Sequence, residues 1–191
     1  QRIRPAVATG PNDPQRTEVG MYVGGQRNTI KNSVIAFSSG GCVKLMGQDH
    51  TFSNNIVHDC GYGGGGNGVA IDVDPTVETG LSARGGHLVS RNTIYNTTSA
   101  GIVIGRHVDY YFASGKGHTP AYDIGLPTPY RKMQIINNEI YNAGILRLDN
   151  GLVYTHGTDG GGTEIAYNVV HHELEVGSRG WGIYLDNGTC N

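Results

Sequence analysis

One two-part phrase returns five times along this chain, and a chain built of such repeats folds by stacking them. The first part is Asn-x-[Ile/Val]-x-[Asn/Asp/His], at 28–32, 55–59, 92–96, 138–142 and 168–172. The second begins 9 to 14 residues after that Asn as a Gly-led apolar alternation, at 40–45, 68–72, 101–105, 151–155 and 182–186. Both parts alternate with a period of two, so the repeating unit is a strand and not a helix. A short strand cannot bury its apolar face alone. Like strands above and below must supply the core.

The phases follow from the pleat. In the Gly-led phrases the expected inward residues are Val69 and Ile71, Ile102 and Ile104, Leu152 and Tyr154, and Ile183 and Leu185. Ala70 and Asp72, Val103 and Gly105, Val153 and Thr155, and Tyr184 and Asp186 then face outward. In the Asn-led phrases Ile30, Val57, Ile94, Ile140 and Val170 point inward. The Asn itself belongs at a bend, where it tolerates left-handed backbone and can bond the amide of its stacked neighbour. Upstream runs at 52–54, 88–90, 134–136 and 165–167 lead into each bend, giving three strands per coil, parallel stacking and right-handed winding.

Successive Asn28, Asn55, Asn92, Asn138 and Asn168 are 27, 37, 46 and 30 residues apart, so the excess must leave the coil as loops. The largest excursion is expected near 106–132, and long excursions from a regular scaffold commonly build a binding face. Residues 1–19, with three prolines, read as an irregular lead-in, and 20–191 as one solenoid domain. No amphipathic capping helix follows the last phrase, so we expect the solenoid to belong to a longer chain or to stack end to end on another copy.

On these phrases the chain resembles the right-handed parallel β-helix (pectate-lyase-like) superfamily, over roughly residues 20–191. The fold class implied is all-β, a right-handed parallel β-helix of about five to six coils. A closer likeness lies in the last coils, where Asp149-x-Gly-x-x-Tyr154, Ile165-x-Tyr-Asn-x-Val-His171 and Trp181-Gly-Ile-Tyr-Leu-Asp186 follow one another. This run is similar to β-helix glycoside hydrolases of the fucosidase/xylanase kind. The likeness implies Asp149 and Asp186, on neighbouring coils, as a catalytic pair.

Residue chemistry points the same way. Two carboxylates on adjacent rungs can divide the work of glycosidic cleavage, one protonated as general acid and the other serving as nucleophile or base. His156 is a third catalytic candidate. Trp181 and Tyr184 offer apolar faces for a sugar ring, and Tyr110, Tyr111 and Arg106 line the expected loop wall. Each has a plainer reading: Asp149-Asn-Gly is a turn signal, histidines are more often structural, and the inward phase makes Tyr154 a core residue. Asp72, expected at the repeat position of Asp186 with Lys44 on the coil before, makes either a cross-strand ion pair or, with Asp74, a Ca²⁺ site. The calcium reading is that of a lyase, which binds a uronate and removes its α-proton with Lys or Arg. The hydrolase reading requires no cofactor.

Composition narrows the classes. Gly is 31 of 191 residues, which suits tight turns, and 37% hydrophobic content in regular short runs argues against disorder. A net charge of −2 without a Lys/Arg cluster gives no nucleic-acid footprint, and no apolar run is long enough to span a membrane. Residues 61–68 lack the Lys-Ser/Thr ending of a phosphate loop, and Asp74-Pro75 is followed by Thr76, not by the His of an epimerase motif. Cys42, Cys60 and Cys190 are odd in number; Cys42 and Cys60 stand either as a disulfide or as buried thiols. The expected partner is a polysaccharide or oligosaccharide, and the expected location is secreted or cell-surface. The rival reading is a non-catalytic solenoid, either a tailspike-like carbohydrate-binding shaft or a self-stacking filament subunit.

Overall fold

The computed structural model describes residues 19–63, 70–73, 85–104, 132–146, 150–155, 161–174, 180–186 and 189, without the side chain of Asp72. Every strand pairing in it is parallel. The strands visit three sheets in strict rotation, so each run of three makes one coil.

The first sheet stacks β1 (Val19–Val23), β4 (Gly41–Leu45), β7 (Ile71–Val73), β10 (Ile102–Ile104), β13 (Asn150–Thr155) and β16 (Gly180–Leu185). The last five carry the Gly-led phrases, as expected, and β1 is a further strand that no such phrase marks. The second sheet stacks β2 (Thr29–Lys31), β5 (Thr51–Ser53), β8 (Leu88–Ser90), β11 (Gln134–Ile136) and β14 (Glu164–Ala166). The third stacks β3 (Val34–Ser38), β6 (Ile56–Cys60), β9 (Thr93–Thr97), β12 (Glu139–Ala143) and β15 (Val169–Glu173).

The core is a set of columns. Val43, Ile71, Ile102 and Val153 stack in register in the first sheet, beside Leu45, Val73 and Ile104. Ile30, Phe52, Val89, Ile135 and Ile165 form the column of the second sheet, and Ile35, Val57, Ile94, Ile140 and Val170 that of the third. All belong to one apolar cluster, in which burying each large aliphatic side chain contributes about 1.5–3 kcal/mol.

Two sequence expectations need correcting here. Thr29–Lys31 is a second-sheet strand paired with Thr51–Ser53, so 28–32 is not a copy of the Asn phrase. Its true counterpart begins at Ser33, and Ile35, not Ile30, stacks on Val57. Bend spacing along the chain is therefore 22, 37, 46 and 30 residues. The second correction is in β13. Gly151 pairs with Trp181 and Tyr154 with Tyr184, so Val153 and Thr155 continue the inward columns and Tyr154 faces outward. Leu152 lies in the core as expected, beside Val153, so the phase departs only from Val153 onward, where the neighbouring strand and not the position of a Gly sets it.

The bends explain the asparagines. Asn55, Asn92, Asn138 and Asn168 each accept, through Oδ1, the backbone N–H of the residue one coil earlier, starting at Ser33, over 2.9–3.0 Å. Each Nδ2 donates to a second-sheet carbonyl of the coil before: Ile30, Phe52, Val89 and Ile135. The left-handed residue is the one before the Asn: Asn32, Asn54, Arg91, Asn137 and Tyr167 all have φ of 55–57°. The expected ladder is present, but the amide and the strained backbone fall on adjacent residues.

A second corner ladder was not foreseen. Asn28 N donates to His50 Nδ1, and His50 N donates to His87 Nδ1, both over 3.1 Å, with the two rings stacked 5.0 Å apart. These roles fix the proton of His50 on Nε2, which donates to the Met46 carbonyl at 2.7 Å. Burial, with His50 beside it, pushes His87 down to about 4. The Gly47 carbonyl pulls it weakly upward, but not in hydrogen-bonding alignment, since His87 Nε2 has no bonded partner among the described residues.

Cys42 of β4 and Cys60 of β6 are joined as a disulfide with their Cα atoms 5.5 Å apart. Both are fully buried, so the bond ties the first sheet to the third inside one coil.

Candidate functional site on the outer face of the first sheet

One register column of the first sheet runs Lys44, Asp72, Val103, Tyr154, Tyr184, and Tyr154 and Tyr184 face outward from it. Lys44 and Asp72 are in register, as expected. Asp72 does not share the repeat position of Asp186, however: its column reaches β16 at Tyr184, two residues earlier. With strands about 4.8 Å apart, each outward side chain meets the next coil's directly.

Tyr154 and Tyr184 therefore meet edge to face, ring centroids 5.4 Å apart, and Trp181 lies against Tyr184 at 4.2 Å. Val103 and Ala100 pack beneath Tyr154. Both phenols turn to the carboxylate at the end of β16: Tyr154 donates to Asp186 Oδ2 at 2.5 Å and Tyr184 to Oδ1 at 2.9 Å. The backbone fixes the same point, because Asp186 N donates to the Thr155 carbonyl at 2.9 Å and Thr189 N to the Asp186 carbonyl at 3.0 Å. The Thr155 and Thr189 hydroxyls are 3.0 Å apart.

This is a half-buried carboxylate gripped by two phenols beside an indole. Two O–H groups donate to its two oxygens, and in its ionised form such a carboxylate can hold a cationic centre or attack one. The aromatic wall supplies apolar surface for the C–H face of a ring-shaped polar ligand. Sequence reasoning placed Asp186, Trp181 and Tyr184 here and missed Tyr154, which the Gly151-based phase turned inward. Asp149, His156, Arg106, Tyr110, Tyr111 and Asp74 lie outside the described residues, as do the 106–132 excursion and the Asp72 side chain. Among the described residues no group of three or more His, Cys, Asp or Glu could hold a metal ion.

The family model for the right-handed β-helix region matches residues 15–191. The chain belongs to that family. Its three parallel sheets, internal bend ladders and period-two columns are the physical form of that match. No curated protein and no solved structure matches the chain.

Sequence reasoning also passed over the outer face of this β-helix's third sheet. The residue after each inward Ile or Val forms a column, Ala36, His58, Tyr95, Tyr141, His171. The last four rings stack nearly parallel, with centroids 4.8, 5.1 and 5.0 Å apart. The signal was available in the repeated phrase itself, whose fourth position reads His, Tyr, Tyr, His.

Proposed function

We propose that this right-handed β-helix protein acts on polysaccharide as a glycoside hydrolase, with Asp186 as nucleophile or base and Asp149 as general acid. The observation that carries the reading is the Asp186 carboxylate held by Tyr154 and Tyr184 beside Trp181 on an outward sheet face. A carboxylate held by two O–H donors fits the ionised member of a glycosidase pair, and the second carboxyl must then supply the proton to the leaving oxygen. Asp149 directly precedes β13, the strand stacked beneath β16, which favours it for that role. The likeness of 149–186 to fucosidase/xylanase-type enzymes supports the same pair.

The substrate class is then a polysaccharide or oligosaccharide, without a required metal. A secreted or cell-surface location goes with this reading and is supported by the buried Cys42–Cys60 disulfide, since such bonds persist in oxidising compartments. The test is reducing-sugar release from a panel of polysaccharides by the intact chain and by Asp186→Asn and Asp149→Asn. Each variant should lose about 10³-fold or more in kcat, on the scale of removing a principal catalytic group. Turnover that survives Asp186→Asn would sink the assignment. Binding without turnover by the unaltered chain would favour the non-catalytic shaft, and unsaturated products that depend on Ca²⁺ would favour the lyase.

A further inference from the structure

We propose that the outer face of the third sheet is a second binding surface, separate from the Asp186 cluster, for a neutral linear glycan lying along the coil axis. Beside the ring stack of His58, Tyr95, Tyr141 and His171 runs a polar column, Asp59, Asn96, Asn142, His172. Each of these four has a left-handed backbone, φ of 50–53°, and at the two end rungs the side chain lies against the preceding ring. Thus His58 Nδ1 meets Asp59 Oδ2 at 2.6 Å, and the His172 ring stands edge-on to His171. Asn142 Nδ2 donates to Asn96 Oδ1 at 3.3 Å, and Asn96 Nδ2 donates to Asp59 Oδ1 at 3.4 Å. The residues of both columns are half-buried except His172, which is exposed.

The two middle rungs, Tyr95–Asn96 and Tyr141–Asn142, share one chemistry. Asn96 spends one N–H on Asp59 and one lone pair on Asn142, Asn142 spends one N–H on Asn96, and each keeps the remainder for solvent next to a phenol. The ring faces between neighbours are covered by one another, so what the strip presents along its length is a row of donors and acceptors at 4.8–5.1 Å steps. Vicinal hydroxyls of a sugar are the complementary donor–acceptor pairs, and one step is about the length of one pyranose residue.

Charge selects among glycans. The outward columns of this sheet are the two above and the column Val34, Ile56, Thr93, Glu139, Val169. They contain no Lys or Arg, and their fixed charges are Asp59 and Glu139, both negative; Arg91 stands one column further out, at the bend before Asn92. A polyuronate would meet like charge, and a neutral chain does not. Edge contacts alone make each rung weak, so affinity has to accumulate with chain length.

The experiment uses the full chain carrying Asp186→Asn, so that no substrate is consumed, with neutral xylo- and cello-oligosaccharides of increasing length and an oligogalacturonate series. Binding is measured by calorimetry and by amide chemical shifts. Affinity should rise with length until the four rungs are spanned, and oligogalacturonates should bind more weakly. Tyr95→Phe with Tyr141→Phe keeps the ring stack but removes the hydroxyls, and should weaken binding by ~10-fold or more while leaving melting temperature unchanged. Placed in the otherwise unaltered chain, the same pair should leave turnover of short soluble substrates intact. Unchanged affinity in the double variant, equal or tighter binding of oligogalacturonate, shifts confined to the first sheet, or no binding of either neutral series would each overturn the proposal.

Discussion

Replacing Asn92 with alanine tests whether the bend ladder, and not apolar packing alone, holds neighbouring coils together. Asn92 is 1% exposed, and its amide bonds in both directions along the axis. Its Oδ1 accepts from Asn55 N at 3.0 Å and from Asn55 Nδ2 at 3.2 Å. Its Nδ2 donates to the Phe52 carbonyl at 3.1 Å and to Asn138 Oδ1 at 3.0 Å. Alanine would leave the Asn55 N–H without its acceptor and the Phe52 carbonyl without this donor, where water does not reach. Each stranded buried group costs about 1–3 kcal/mol, so the loss should be about 2–5 kcal/mol. For a domain of this size that lowers the melting temperature by about 10 °C.

The internal reference is Asn96→Ala, which removes a half-buried amide whose bonds are 3.3–3.4 Å long and open to solvent. It should cost about 0.5 kcal/mol. Urea and thermal unfolding followed by circular dichroism would measure both, with an unchanged urea slope showing that the loss is one of native stability. Equal losses in the two variants, or a loss below about 1 kcal/mol for Asn92→Ala, would refute the reasoning.

Two further predictions follow from buried groups. The folded chain keeps His87 neutral down to about pH 4, whereas the unfolded chain takes up that proton near 6.5. The stabilisation is therefore complete above pH 6.5 and drains away as pH falls to 4, a total of about 3 kcal/mol. His87→Asn, whose Oδ1 can still accept from His50 N, should flatten that acid limb in pH-dependent urea unfolding; a wild-type profile already flat there would contradict the burial argument. The Cys42–Cys60 bond spans a sequence separation of 18, which corresponds to about 3 kcal/mol of chain entropy. Unfolding under reducing conditions should start from a stability lower by that amount, with no thiol labelling of either Cys in the native oxidised chain, and equal stabilities with and without reductant would count against it.

The sequence alone determined the architecture of this protein. Strand period two, recurring at coil-length intervals, leaves parallel stacking as the way to bury Val57, Ile94, Ile140 and Val170, and those residues lie in one column. The bend asparagines were legible for a similar reason: an amide that recurs beside a turn has its own copy one coil away as the nearest partner. Sequence also brought Trp181, Tyr184 and Asp186 together, because they lie along one strand and its end.

What only the tertiary structure decided was phase. Asn28 matches the Asn phrase by composition, but the strand it precedes pairs with Thr51–Ser53 and so belongs to the second sheet. Tyr154 matches an inward position when counted from Gly151, yet the ladder to β16 places it outward, where it donates to Asp186. Local pattern is indifferent to a shift of one residue, whereas backbone pairing with the coil above is not, since each shift exchanges core for surface. The pairing of Cys42 with Cys60 was open for the same reason. Their separation in space depends on which strands of a coil face each other across its interior, and that is settled only when the coil closes.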